Sequence, residues 1–254
     1  MVRIYLMCLT CLRESGHPSP WIGVSPVEDS GIYRATCSKG HDTVTCLQEM
    51  RFEILYDIAA SAILDGYYRE AVSSFAASLE RFYEFYIKVH CERRDIDPAE
   101  FETTWKLVSN QSERQFGAFV FAYLIDRKIS APTLTNKMVE FRNSVVHKGR
   151  IPSRDEAIGF GNDVADVIQR VLSELRKDAQ EFISRAVQRH VSQVRQKAAE
   201  EQVMFQSTVT MLGLSRAPTE PSPTLESWLA QLAKMRELFA RALAEQAASP
   251  MPGP

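Results

Sequence analysis

"QEMRFEILYDIAASAIL", residues 48–64, decides the fold. Phe52, Leu55, Ile58, Ala59, Ala62 and Ile63 recur at intervals of three and four, which gathers apolar side chains on one face of a helix. Upstream, "RIYLMC" and "SGIYRATCSKGHDTVTC" alternate in short runs between turn residues, predicting short strands and hairpins. The period changes at Leu47 and stays helical. "YREAVSSFAASLERFYEFYIKVHCER" predicts a second, longer helix. "AEFETTWKLVSN" and "SERQFGAFVFAYLIDRK" predict two more, the latter mostly buried. "TLTNKMVEFRNSVVHKG" predicts a fifth, opened by a Thr or Asn cap and closed by Gly149, with Pro152 beyond. The expected class is mainly α, a helical bundle preceded by a small β module.

From Ser153 to Leu214 there is no proline. An unbroken helix of that length would span about 90 Å, wider than one domain, so its distal half must project, break or pair. "SRAPTEPSPT" (215–224) reads as a linker and "SPMPGP" as a frayed tail. Between them, Leu225, Trp228, Leu229, Leu232, Met235, Phe239, Ala242 and Leu243 form the stripe of an amphipathic helix. The expected layout is a small β module (1–47), a helical domain (48–175), an extended helical arm (176–214), a linker (215–224) and an amphipathic helix (225–248).

The 254 residues are 45% hydrophobic and 24% charged, with a formal net charge of −2, which excludes a generic polyanion binder. No apolar run is long enough for a membrane span, and "MVRIYLMCLTC" is too short and cysteine-rich for a secretory leader. The expected compartment is the reducing cytoplasm. There, clustered cysteines point to metal rather than disulfides.

Four of the five cysteines fall within the first 46 residues. Cys8-Leu-Thr-Cys11 and Cys37-Ser-Lys-Gly-His41 read as two knuckles, each a tight turn presenting two donors to a tetrahedral ion. Gly40 suits the second turn. The pattern resembles a zinc ribbon of the Cys3His kind, which makes residues 1–47 a zinc-ribbon-like module with Cys8, Cys11, Cys37 and His41 as the expected ligands of a structural zinc and Cys46 as the alternative to His41. With four protein donors such a site leaves no open position for catalysis.

The fifth helix carries the other candidate site. Arg142 emerges among Met138, Val139, Val145 and Val146, an apolar face on which an unpaired guanidinium is costly. His147 lies five residues on, in the last helical turn. Helix C-termini attract cationic side chains, a setting that suits an imidazole shuttling a proton. An arginine that neutralises a phosphate and a histidine that moves a proton are the minimum parts for cutting RNA without metal. Spacing alone does not single them out, because Arg185 and His190 repeat it on what reads as a solvated, charged face. Asn143 directly after the arginine and the "HKG" helix stop distinguish the first copy.

"EFRNSVVHKGRIP", with the preceding helix "YYREAVSSFAASLERFYEFYI", resembles the HEPN family over about residues 48–175. That family consists of compact helical domains, usually ribonucleases of bacterial defence and toxin systems. The resemblance implies a homodimer in which the arginine and histidine of two subunits meet and cleave RNA without metal, leaving 2′,3′-cyclic phosphate and 5′-hydroxyl ends. It implies that Arg142 holds the scissile phosphate, that His147 is the general acid or base, and that Asn143 orients one of them or bonds the RNA. Glu80 has Ala76, Ala77, Tyr83, Glu84 and Ile87 as helix neighbours, a strip expected to be largely buried, and is the acidic partner expected for Arg142. The alternative is a non-catalytic HEPN scaffold that binds a partner protein or nucleic acid through the ribbon and the arm, with Glu80 and Arg142 as a structural pair. "GFG" (159–161) lacks the lysine and preceding strand of a phosphate loop, and His17, His90 and His190 read as isolated.

Overall fold

The computed structural model describes residues 4–16, 21–24, 27–198, 203–214 and 222–248. His17, most of the expected linker (215–221) and the tail from 249 lie outside the described residues. The protein is mainly α-helical, and its chain divides into two compact units. The first gathers Met1–Gln48, His190–Val209 and Glu226–Pro254; the second, Glu49–Arg189 and Thr210–Leu225.

In the first unit β1 (Ile4–Met7) pairs antiparallel with β2 (Trp21–Val24), and β3 (Ile32–Thr36) pairs antiparallel with β4 (Asp42–Leu47). Between β1 and β2 lies α1 (Leu9–Ser15). β5 (Val203–Gln206) adds to β4 in parallel. Ile32, Cys46, Val194 and Ala198 pack as its core, against Val44, Val203 and Phe205. The Gln206 side chain does the work of a strand edge: its Nε2 donates to the Tyr5 carbonyl at 2.8 Å and its Oε1 accepts from Met7 N–H at 3.1 Å. In α9 (Leu225–Ala248), Trp228 and Leu229 are buried and Phe239 stacks on Tyr5 at 3.9 Å.

The second unit is organised around α3 (Tyr68–Glu92), which packs against α2 (Arg51–Leu64), α4 (Pro98–Trp105), α5 (Ser112–Arg127), α6 (Asn136–Lys148) and α7 (Arg154–Asp178). Phe52, Phe82 and Phe85 form one aromatic cluster, and Tyr86, Phe119 and Tyr123 a second. Each of these rings is fully buried, worth roughly 1.5–3 kcal/mol per phenylalanine. The "GFG" stretch serves packing: a Cβ on Gly161 would lie 2.7 Å from the Phe75 ring and 2.6 Å from Leu225, and its carbonyl accepts from the Tyr56 hydroxyl at 2.9 Å.

Two expectations change. The run after Ser153 takes one of the courses expected of it and breaks, at Ala179, where α7 ends and α8 (Gln180–Lys197) begins; what changes is the stretch expected as a helical arm over 176–214, which contains β5. No residue around Ala179 is a helix breaker. The break falls beside Asp178, which accepts from Arg127 at 2.7 and 3.0 Å and pairs with Arg93 at 3.3 Å. The second change concerns α5, expected to be mostly buried. Only Gln115, Phe119 and Tyr123 are buried, while Phe121, Leu124 and Ile125 face outward. No helix among the described residues is long and apolar enough to cross a membrane.

Candidate metal centre and candidate active site

Cys8 is the N-cap of α1 and Cys11 lies in its first turn, so the first knuckle is a helix start rather than the expected tight turn. The second is a turn: Gly40 N–H donates to the Cys37 carbonyl at 2.9 Å, Cys37 N–H to the His41 carbonyl at 3.0 Å, and Gly40 takes φ 82°, where a side chain would be strained. The helix start and the turn bring three thiols and the His41 imidazole within 4.8 Å of one another. Donors ~2.3 Å from a central ion sit ~3.8 Å apart at the corners of a tetrahedron. Cys11 Sγ and Cys37 Sγ are 3.8 Å apart, and His41 Nδ1 lies 3.2 Å from Cys11 Sγ and 3.9 Å from Cys8 Sγ. This donor set fits a bound metal ion.

Burial and the neighbouring thiols push the Cys11 thiol up to about 12. At Cys37, burial is outweighed by the backbone amides of His41 and Lys39 and by the other two thiols, so its thiol falls below its ordinary value. Cys46, the alternative fourth ligand, belongs to the apolar core with Ile32 and Val194, leaving His41 as the fourth donor.

In the second unit, α6 starts where Thr135 Oγ1 accepts from Met138 N–H at 3.4 Å, and it ends at Gly149 (φ 73°), whose N–H donates to the Ser144 carbonyl. α7 follows through a capping box in which Ser153 and Glu156 exchange side-chain and backbone bonds. These caps present Arg142 toward α3. Its Nη2 donates to Glu80 Oε1 at 2.7 Å, its Nη1 to Asn143 Oδ1 at 3.0 Å, and Nη1 lies 3.5 Å from His147 Nε2. All four residues singled out from the sequence therefore meet around one guanidinium. The arginine and glutamate are partly buried, with side chains 18% and 25% exposed, whereas His147 is exposed to solvent. By contrast, Arg185 of the second copy pairs with Glu181 and lies over the Phe182 ring, on an exposed helix face.

Beside Arg142 lies a cavity of about 170 Å³ walled by α3, α5, α6 and α7. Tyr83, Phe116 and Phe160 line it, with Glu80, Glu113 and Arg142 as charged groups. Burial, reinforced by the Glu80 carboxylate and only partly offset by Arg142, holds the Tyr83 phenol well above its ordinary range, so it stays neutral. Tyr83 could have been found in the sequence, one helical turn after Glu80; Phe116, on a helix distant in sequence, carried no such signal.

A further polar cluster also went unseen. His90, read as isolated, lies 2.9 Å from Arg94 Nη1 and 3.5 Å from Asp126. Asp126 also accepts from the Tyr86 hydroxyl at 3.1 Å and pairs with Arg93, Arg94 and Arg127. Burial and the adjacent arginines outweigh Asp126 and hold His90 below its ordinary value, which suits a structural node.

Comparison of the chain with protein-family models, curated proteins and solved structures gives no match, so the functional reading rests on the geometry of the sites themselves.

Proposed function

We propose that this chain is a HEPN-type endoribonuclease, acting as a homodimer in a bacterial defence or toxin-like system, that cuts RNA without metal in its active site. The observation that carries the reading is the convergence of Glu80, Asn143 and His147 on Arg142, at 2.7, 3.0 and 3.5 Å. In the reaction the ribose 2′-oxygen attacks the adjacent phosphorus and the bond to the 5′-oxygen breaks. His147 takes the proton from the 2′-hydroxyl or returns one to the departing 5′-oxygen. Arg142 neutralises the charge that builds on the phosphoryl oxygens, and Glu80 and Asn143 fix the guanidinium for that task. The outward apolar stripe of Phe121, Leu124 and Ile125 on α5 supports pairing with a second copy. Zinc is the metal we assign to Cys8, Cys11, Cys37 and His41, as a structural ion, and the cysteine usage fits the cytoplasm.

One observation favours a second reading. Arg142 is already held by Glu80 in a partly buried pair, as a scaffold that binds a partner protein or nucleic acid would require. His147→Ala separates the two. Incubated with total RNA without added divalent cations, the wild-type protein is expected to leave cyclic phosphate ends, and the variant to lose at least about 100-fold in rate with an unchanged melting temperature. A fully active variant removes the ribonuclease reading. An inert wild type, together with an Arg142→Ala variant that unfolds or monomerises, supports the scaffold.

A further inference from the structure

The cleavage chemistry uses the guanidinium of Arg142 but not the cavity beside it. Ligand sites for drug-sized molecules enclose roughly 300–1,000 Å³, and this cavity of about 170 Å³ has room for a single ring system rather than a whole nucleotide. Its walls are aromatic: Tyr83 and Phe116 lie 5.8 Å apart, tilted at 51°, and Phe160 lines the cavity with them. Tyr83 is fixed by a second stack on Phe119 at 4.4 Å, whereas Phe116 is 39% exposed and presents ring surface at the mouth. The charged groups lining it are the phosphate-binding candidate Arg142 and two carboxylates. Glu80 is paired with the Arg142 guanidinium, which leaves Glu113 as the lining carboxylate not held in that ion pair. Ser112 donates to Glu113 Oε2 at 3.3 Å and orients it.

We infer that this cavity is a nucleobase pocket that favours guanine. A phosphate on Arg142 places the base of the same nucleotide within reach of the opening. The base stacks on Phe116, an interaction that tolerates any base and contributes about tenfold to a hundredfold in affinity. Discrimination comes from Glu113. A carboxylate only accepts, and guanine alone among the four bases carries a ring N–H beside an exocyclic amine, two donors that match its two oxygens. Cytosine and adenine offer the amine without the adjacent ring donor, and uracil offers no amine. The inference rests on the ribonuclease reading for its RNA substrate, though not for the pocket's capacity to take a base.

Calorimetry of the full chain with the four nucleoside 3′-monophosphates tests it, alongside mapping of cleavage sites in RNA. Guanosine 3′-monophosphate is expected to bind most tightly and uridine 3′-monophosphate least, and cuts are expected to fall next to guanosine. Phe116→Ala should weaken all four by about tenfold, and Glu113→Gln should abolish the guanine preference while leaving the uridine nucleotide unchanged. Both side chains are exposed, and a melting curve for each variant verifies folding. Equal affinity for the four nucleotides, or wild-type affinity in Phe116→Ala, overturns the pocket. RNA cleavage without nucleotide binding also overturns it and leaves the ribonuclease reading standing. Guanosine-selective binding without any cleavage does the reverse.

Discussion

The Cys8, Cys11, Cys37 and His41 cluster and the Arg142 cluster are both polar groups gathered at turns and helix ends, yet they close differently. The three thiols are buried and, with the imidazole, converge on one point, leaving each donor facing the others. Around Arg142 the groups are half-buried or exposed, and a cavity opens beside them. Donors that converge with no space between them hold one small ion. Donors that line an opening hold something that enters and leaves. The contrast separates the cluster proposed to hold the fold from the cluster proposed to do chemistry.

The largest effect should come from breaking the first cluster. Cys37→Ser, or prolonged chelation, is expected to remove one metal equivalent and unfold the first unit. Structural zinc sites supply about 10–16 kcal/mol, comparable with the whole stability of a typical domain. Metal analysis and near-ultraviolet circular dichroism check this; a metal-free protein with a native spectrum would erase the contrast.

The second unit should respond to pH instead. Glu53 is fully buried, where its carboxylate accepts from Met50 and Leu214 backbone N–H at 2.8 and 3.0 Å and from Thr210 Oγ1 at 3.2 Å. Burial outweighs these three donors and raises its pKa from 4.5 to about 7. The folded state thus keeps a proton that the unfolded state has released. This contribution is complete below pH 4.5 and is lost as pH rises through 7, costing roughly 3 kcal/mol in all. Denaturant titrations from pH 4 to 8 should show that decline, with a flatter profile in Glu53→Gln. A wild-type profile without it would place Glu53 in contact with water.

The smallest effect concerns the helix end that carries the candidate active site. Gly149→Ala meets open space but keeps φ 73°, so its cost is purely conformational, about 1 kcal/mol. The melting temperature should fall by about 2–4 °C. RNA cleavage should fall with it, since His147 sits in the turn that Gly149 closes. An unchanged cleavage rate would show that His147 is positioned independently of the cap.

Much of both sites was legible because local rules placed them. Cys-x-x-Cys and Cys-x3-His fix donor pairs within a turn, and a Thr cap, apolar spacing and Gly149 fix the ends of α6. Glu80 is legible through its helical neighbours, which mark a carboxylate on a largely buried strip. The two readings that changed fail for one reason. α5 is apolar enough to be a core helix, yet a core admits only the face turned toward α3, so Phe119 and Tyr123 are buried while Phe121 and Ile125 are not. "VMFQ" sits in a run without helix breakers and becomes a strand because the edge of β4 offers it backbone partners.

By itself the sequence determined the helical class, the switch of period at Leu47, three thiol donors of the candidate metal centre with His41 and Cys46 as alternatives for the fourth, and the four residues around Arg142, since each depends on side-chain identity and spacing along the chain. Only tertiary structure decided that Cys46 serves the core, that the long helix breaks beside Asp178, and that Tyr83, Phe116 and Glu113 share one cavity with Arg142. Those outcomes depend on residues distant in sequence competing for the same space and the same hydrogen bonds. Local spacing contains no record of that competition.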